Sequence, residues 1–146
     1  MKIKQVSVFL ENKPGRLYEV CKHLADADIN LVTLSLADTE QFGILRLIVE
    51  DWEKAKQLME EDGRVVKIVD VVATEIKDEP GGLARVLKVF DEANVNVEYM
   101  YAFTRKMEDS AILILRFDNP DFAIEALQKA GIRVISSEEL FKNLKD

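Results

Sequence analysis

The sequence predicts an α+β fold of two βαββαβ units in tandem, each an antiparallel sheet with its helices on one face. Three observations predict it. The chain repeats itself at a shift of 66 residues, and both copies alternate strand and helix patterns in one order. In both copies, the third strand is apolar at every position of one face.

The repeat is clearest near the start of each copy. The 66-residue shift lays Glu11-Asn12-Lys13-Pro14-Gly15-Arg16-Leu17 over Lys77-Asp78-Glu79-Pro80-Gly81-Gly82-Leu83. Seven of the nineteen positions from 12 to 30 are identical, including Pro14/Pro80, Gly15/Gly81, Val20/Val86 and Asn30/Asn96. Beyond a two-residue insertion, Ile44-Leu45 meets Ile112-Leu113. Self-similarity at a fixed period marks a repeated structural unit.

Each element follows from its pattern. Val6, Val8 and Leu10 alternate with outward positions, as do Val72, Thr74 and Ile76, which predicts a first strand. Asn12-Lys13-Pro14-Gly15 and Asp78-Glu79-Pro80-Gly81 then predict a helix start: Asn or Asp can cap free N–H groups, and Pro suits a first turn. Apolar residues at 17, 20, 21 and 24, and at 83, 86, 87 and 90, give the stripe of an amphipathic helix. Asp28-Ile29-Asn30 and Asn94-Val95-Asn96 end it and lead into a second strand. A third strand is expected at 43–49 and 111–117. A second helix is expected at 52–61 and 120–130, stopped by Gly63 and Gly131, and a fourth strand at 64–69 and 132–136. This order is the ferredoxin-like plan. The domains are expected at 1–69 and 70–146, joined without a linker because Val65 to Val72 reads as continuous strand. Ser137 to Phe141 predicts a capped terminal helical turn.

The third strands also bear on association. Leu45, Leu47 and Val49, with Leu113, Leu115 and Phe117, predict the helix-covered face. Ile44, Arg46 and Ile48, with Ile112, Ile114 and Arg116, leave the opposite face too apolar for open solvent. The expectation is a homodimer through this open sheet face, or a target enzyme docked on it.

Composition excludes several classes. The chain has 146 residues, 48% of them apolar and 32% charged, with formal net charge −7. Both halves are acidic, which opposes nucleic-acid binding and acidic lipid surfaces. One cysteine, Cys21, excludes an intrachain disulfide and a Cys-rich zinc site. Cys21 aligns with Leu87 and reads as a small core residue, while His23, the one histidine, lies off the apolar stripe. No nucleophile or acid–base constellation is visible, so an enzyme is not expected, nor a metal or cofactor. The N-terminus lacks a signal-peptide pattern and no run is long enough to span a membrane, so a cytoplasmic location is expected.

Leu10 to Leu17 with Asp28-Ile29-Asn30-Leu31 resembles an ACT domain, and Lys77 to Leu83 with Asn94-Val95-Asn96-Val97 resembles a second. The whole chain is similar to stand-alone tandem ACT proteins. That resemblance implies a regulatory protein that binds a free amino acid at the interface between the two repeats. It implies one half-site of Asn12, Gly15, Arg16 and Leu17 facing Asn96 and Val97. The other is Asp78, Gly81, Gly82 and Leu83, facing Asn30 and Leu31. The chemistry is reasonable in itself. Helix N-termini offer N–H groups to a carboxylate, glycine lets ligand approach the backbone, and Asn both donates and accepts. The first turn carries Lys13 and Arg16 whereas the second carries Asp78 and Glu79, so the first is expected to be the tighter site. Tyr99 and Tyr101, replacing Thr33 and Ser35, either line a side-chain pocket or fill the interface. The alternative function is a free-standing regulatory subunit of an amino-acid biosynthetic enzyme such as acetolactate synthase, which would have a catalytic partner.

Overall fold

The structure is a computed structural model that describes residues 1–38, 41–103 and 109–142. It is an α+β fold in which β1 (Ile3–Glu11), α1 (Arg16–Asp26), β2 (Thr33–Asp38), β3 (Phe42–Ile48) and α2 (Trp52–Glu61) precede β4 (Val65–Lys77). Then come α3 (Gly82–Glu92), β5 (Val97–Ala102), β6 (Ser110–Phe117), α4 (Pro120–Lys129), β7 (Val134–Ile135) and α5 (Ser137–Lys142). The chain forms two compact units, Lys4–Val69 and Met1–Ile3 with the residues from Asp70 onward. The expected continuous strand at the junction is β4.

In the first unit the strand order is β2-β3-β1-β4, with β3 antiparallel to both β1 and β2. Register sets Val6 opposite Leu47 and Val8 opposite Leu45. These residues, with Leu10 and Val49, bury the stripe Val20 and Leu24 of α1 and Ala55 and Met59 of α2. In the second unit β6 lies between β4 and β5, and β7 pairs with Ala73 and Thr74 of β4. Its core joins Leu113, Leu115 and Phe117 to Val86, Phe90, Ala123 and Leu127. The Phe90 and Phe117 rings meet edge to face with centroids 4.8 Å apart. Met1 and Lys2 also belong here: Lys2 Nζ lies 3.1 Å from the Asp121 carboxylate, and Gln128 Nε2 donates to Met1 Sδ at 3.2 Å.

The helix-covered faces are those expected, and Gly63 and Gly131 follow Asp62 and Ala130, the C-cap residues of α2 and α4. Three expectations need correction. Asn12 and Asp78 are not the cap residues: α1 and α3 begin only at Arg16 and Gly82, and the cap positions are Gly15 and Gly81 in the left-handed region, without a side-chain acceptor. The turn runs longer than the Asn-x-Pro pattern suggests because Gly15 and Gly81 reverse the chain after the proline. The fourth strand of the second unit is only Val134–Ile135: the Ser136 hydroxyl accepts from Glu139 N at 3.2 Å, and α5 begins at Ser137. Finally, the apolar sheet face is not open throughout. Ile48, Ile112 and Ile114 are at most 2% exposed.

Candidate ligand-binding turns

The two β1–α1-type turns share one hydrogen-bond skeleton. In the first, Lys13 N donates to Glu11 O at 2.9 Å, Arg16 N to Lys13 O at 3.3 Å and Glu19 N to Gly15 O at 3.0 Å. In the second, Glu79 N donates to Lys77 O, Gly82 N to Glu79 O and Arg85 N to Gly81 O, each at 3.0 Å. Each turn is tied to the residue ahead of the next hairpin strand: Asn12 N donates to Gln41 O at 3.2 Å and Asp78 N to Asp109 O at 2.9 Å.

What the turns lack is a cap. The α2 N-terminus is capped by Asp51, whose carboxylate accepts from Lys54 N at 3.1 Å, and α4 by Asn119, which accepts from Phe122 N at 3.2 Å. The cap positions of α1 and α3 are Gly15 and Gly81, which offer no side-chain acceptor. A helix start leaves its first N–H groups without intrahelical partners, and its dipole favours an anion there. The two repeat-equivalent helix starts therefore keep the capacity that α2 and α4 spend on side chains.

Glycine serves two purposes here. Gly15 and Gly81 have φ of +88° and +85°, a conformation other residues adopt at a cost, and a Cβ on either would meet nothing within 4 Å. The space in front of both is open, as a ligand contact requires. Gly82 is different: it is buried, and a Cβ there would lie 2.1 Å from the Lys77 carbonyl oxygen. Its reason is packing, and Arg16 stands at the corresponding position of the first repeat.

The predicted residues fall into contiguous groups. Asn12, Gly15 and Leu17 are exposed and Arg16 half-buried on the first turn; Asp78 and Gly81 are exposed and Leu83 half-buried on the second. Asn30 and Asn96 are exposed just ahead of β2 and β5, after Asp28 and Asn94, which hold positive φ of 60° and 55°. Leu31, Leu83 and Val97 also pack on the cores, so part of their role is structural.

The charge contrast between the turns is smaller than the sequence suggests. Lys13 Nζ lies 3.0 Å from the Glu11 carboxylate, and Arg16 Nη1 lies 3.1 Å from that of Glu19. The hydrogen bond and charge of Lys13, helped by Arg16, hold the Glu11 carboxyl below the usual range. In the second turn, Glu79 pairs with Arg85. Both turns are thus partly neutralised by neighbours that turn-by-turn charge counting misses.

Sequence reasoning passed over a set of polar residues on β1 and β2: Gln5, Ser7 and Thr33 are buried on the sheet. The signal was available, since their counterparts in the second repeat, Val71, Ala73 and Tyr99, are apolar or aromatic. Among the described residues no group of three or more His, Cys, Asp or Glu could hold a metal ion, and no helix is long and apolar enough to cross a membrane.

Comparison with known proteins agrees with this architecture. The family profile of the ACT domain pair matches residues 1–144. The crystal structure of protein BT0572 from Bacteroides thetaiotaomicron is 40% identical, covers 97% of both chains and superposes with a TM-score of 0.90. The ligand-free regulatory subunit of aspartate kinase from Thermus thermophilus is similar in fold, with a TM-score of 0.64 at 16% identity, over 87% of this chain and 91% of that one. No curated protein sequence gives a significant match.

Proposed function

The chain belongs to the ACT family as a pair of ACT domains, and we propose that it is a regulatory protein, without catalytic activity of its own, that binds a free amino acid at its β1–α1-type turns. The observation that carries this reading is the paired glycine at the cap positions of α1 and α3, with no side-chain acceptor, beside the side-chain caps of α2 and α4. A zwitterion's carboxylate fits the first-turn N–H groups of such a helix. Its ammonium group requires an acceptor, which the side-chain carbonyls of Asn12, Asn30 and Asn96 or the Asp78 carboxylate can provide. The site residues proposed remain those of the two turns and the starts of β2 and β5.

A thermal-shift screen of the twenty amino acids tests the proposal. A ligand at 100 times its dissociation constant stabilises the fold by about 2.7 kcal/mol, a readily measured shift. Asn12→Ala and Asn30→Ala, both at exposed positions, are expected to reduce the shift while leaving the unliganded melting temperature in place. A flat screen would remove the reading.

A second reading is favoured by exposed apolar residues on the first unit's β2 and β3: Leu34, Leu36 and Phe42 are 42–53% exposed. β2 ends the strand order, so its outer edge is open to a partner among the described residues. In that reading the chain is the free-standing regulatory subunit of an amino-acid biosynthetic enzyme, as the named function of the Thermus subunit illustrates. It predicts co-elution with a catalytic subunit that Leu34→Glu and Leu36→Glu abolish, whereas elution alone at native concentration counts against it.

A further inference from the structure

Each unit has a cleft between its two long helices, and the two copies treat it differently. α1 and α3 end on the C-cap residues Ala27 and Ala93, while α2 and α4 start from the N-caps Asp51 and Asn119. These matched ends align Lys54 with Phe122 and Leu58 with Ala126. In the first unit Lys54 reaches across from α2, and its ammonium donates to the Ala27 carbonyl at 2.8 Å. Ala27 and Leu58 both pack against the core beside it. The last carbonyls of a helix have no intrahelical partners, and the dipole favours a cation there. The lysine meets that need from within the chain.

The second unit has the same helix end without the lysine. Phe122 carries no donor for the Ala93 carbonyl, and Val89 stands where the first repeat has His23. Alanine in place of leucine at position 126 also leaves space. A groove of about 370 Å³ lies there, with Val89, Ala93, Phe122 and Ala126 among its walls. Small-molecule sites run from about 300 to 1,000 Å³. Every lining residue belongs to the second unit, and the Phe122 ring is 46% exposed. Glu92 and Glu125 stand at the rim. Their partners, Lys88 at 3.6 Å and Lys129 at 2.8 Å, form exposed pairs that are weak in water and open to exchange.

We propose that the groove between α3 and α4 binds a small primary alkylammonium ligand, whose charge takes the place that Lys54 Nζ fills in the first unit. The ammonium donates to the Ala93 carbonyl at the negative end of α3, and the alkyl stem lies along Val89, Phe122 and Ala126. The sister cleft identifies the occupant, because it holds an ammonium on a four-carbon stem. An anion is opposed by the helix end and by Glu92 and Glu125, and a wholly apolar ligand has nothing to give the carbonyl. Ala93 lies at the opposite end of α3 from Gly81, so the site stands independently of the amino-acid turns.

The test uses the full chain with 13C-labelled alanine methyls, titrated with n-butylammonium chloride and separately with tetramethylammonium chloride at constant ionic strength. Ala93, Ala126 and Ala130 report on the groove, and Ala27 is the internal control because Lys54 already holds its carbonyl. The expected result is saturable shifts at the three groove methyls with Ala27 unmoved. Tetramethylammonium, which has no N–H to donate, is expected to bind at least about tenfold more weakly. Phe122→Lys supplies the ammonium from within and is expected to weaken butylammonium binding by about tenfold or more. Ala126→Leu fills the groove floor and is expected to weaken it likewise. Both variants install the first repeat's own residue at a position that is not buried, and an unchanged amide spectrum elsewhere checks the fold. A linear response, equal affinity for tetramethylammonium, an Ala27 shift as large as that of Ala93, or undiminished binding in either folded variant overturns the proposal.

Discussion

At the scale of single residues, the turns separate roles that look alike in sequence. Gly15 is held by its φ of +88° with open space in front, whereas Gly82 is held by the Lys77 carbonyl 2.1 Å from where a Cβ would sit. Gly82→Ala is therefore expected to lose about 1–3 kcal/mol of stability by overpacking, read from denaturant midpoints. Asp28 and Asn94 offer the opposite test. Both hold positive φ, so Asn94→Gly is expected to leave stability within about 1 kcal/mol of the parent, while Asn94→Val loses more. Glu11 gives a pH prediction. Its carboxyl pKa is lowered, first by its hydrogen bond with Lys13, so the pair's contribution is present at neutral pH and lost as pH falls through the depressed value. A carboxyl-detected NMR titration should find the Glu11 midpoint below the ordinary glutamate value, and Lys13→Ala should move it upward. No pattern in the sequence distinguishes Gly82 from Gly81, because the distinction lies in the approach of a carbonyl five residues back.

At the scale of elements, periodicity was enough to place every strand and helix, because each repeat presents an apolar stripe or alternation that only one element can bury. Val20 and Leu24, or Val86 and Phe90, fall on the core side as their spacing requires. The helix starts were less legible. Asn12 and Asp78 have capping chemistry, but a cap depends on where the backbone enters the helix, and Gly15 and Gly81 move that point downstream. Cap substitutions should expose the difference. Asp51→Ala and Asn119→Ala are each expected to cost about 1 kcal/mol, whereas Asn12→Ala should change chemical-denaturation stability by less than about 0.5 kcal/mol.

At the scale of the molecule, duplication gives two copies of one fold that have diverged where packing allows. The helix-side cores remain apolar in both, while the other sheet face is polar around Arg46 in one copy and apolar around Ile114 in the other. The open apolar face expected from sequence was read from composition, which does not show how deeply Ile48, Ile112 and Ile114 are buried. Ile114 is fully buried in a single chain, so Ile114→Ala should cost about 2–5 kcal/mol at any protein concentration. The candidate turns were legible because their motif recurs at the same spacing; the sheet-face cluster was not, because burial of Gln5, Ser7 and Thr33 is decided by tertiary structure. The central claim is that the uncapped starts of α1 and α3 receive an amino-acid carboxylate, and amide NMR of the full chain at saturating ligand tests it most directly. The predicted result is that the largest shifts fall on the Leu17 and Tyr18 or Leu83 and Ala84 amides, with the capped starts at Lys54 and Phe122 unmoved. Shifts of equal size at all four helix starts, or none with any of the twenty amino acids, would contradict it.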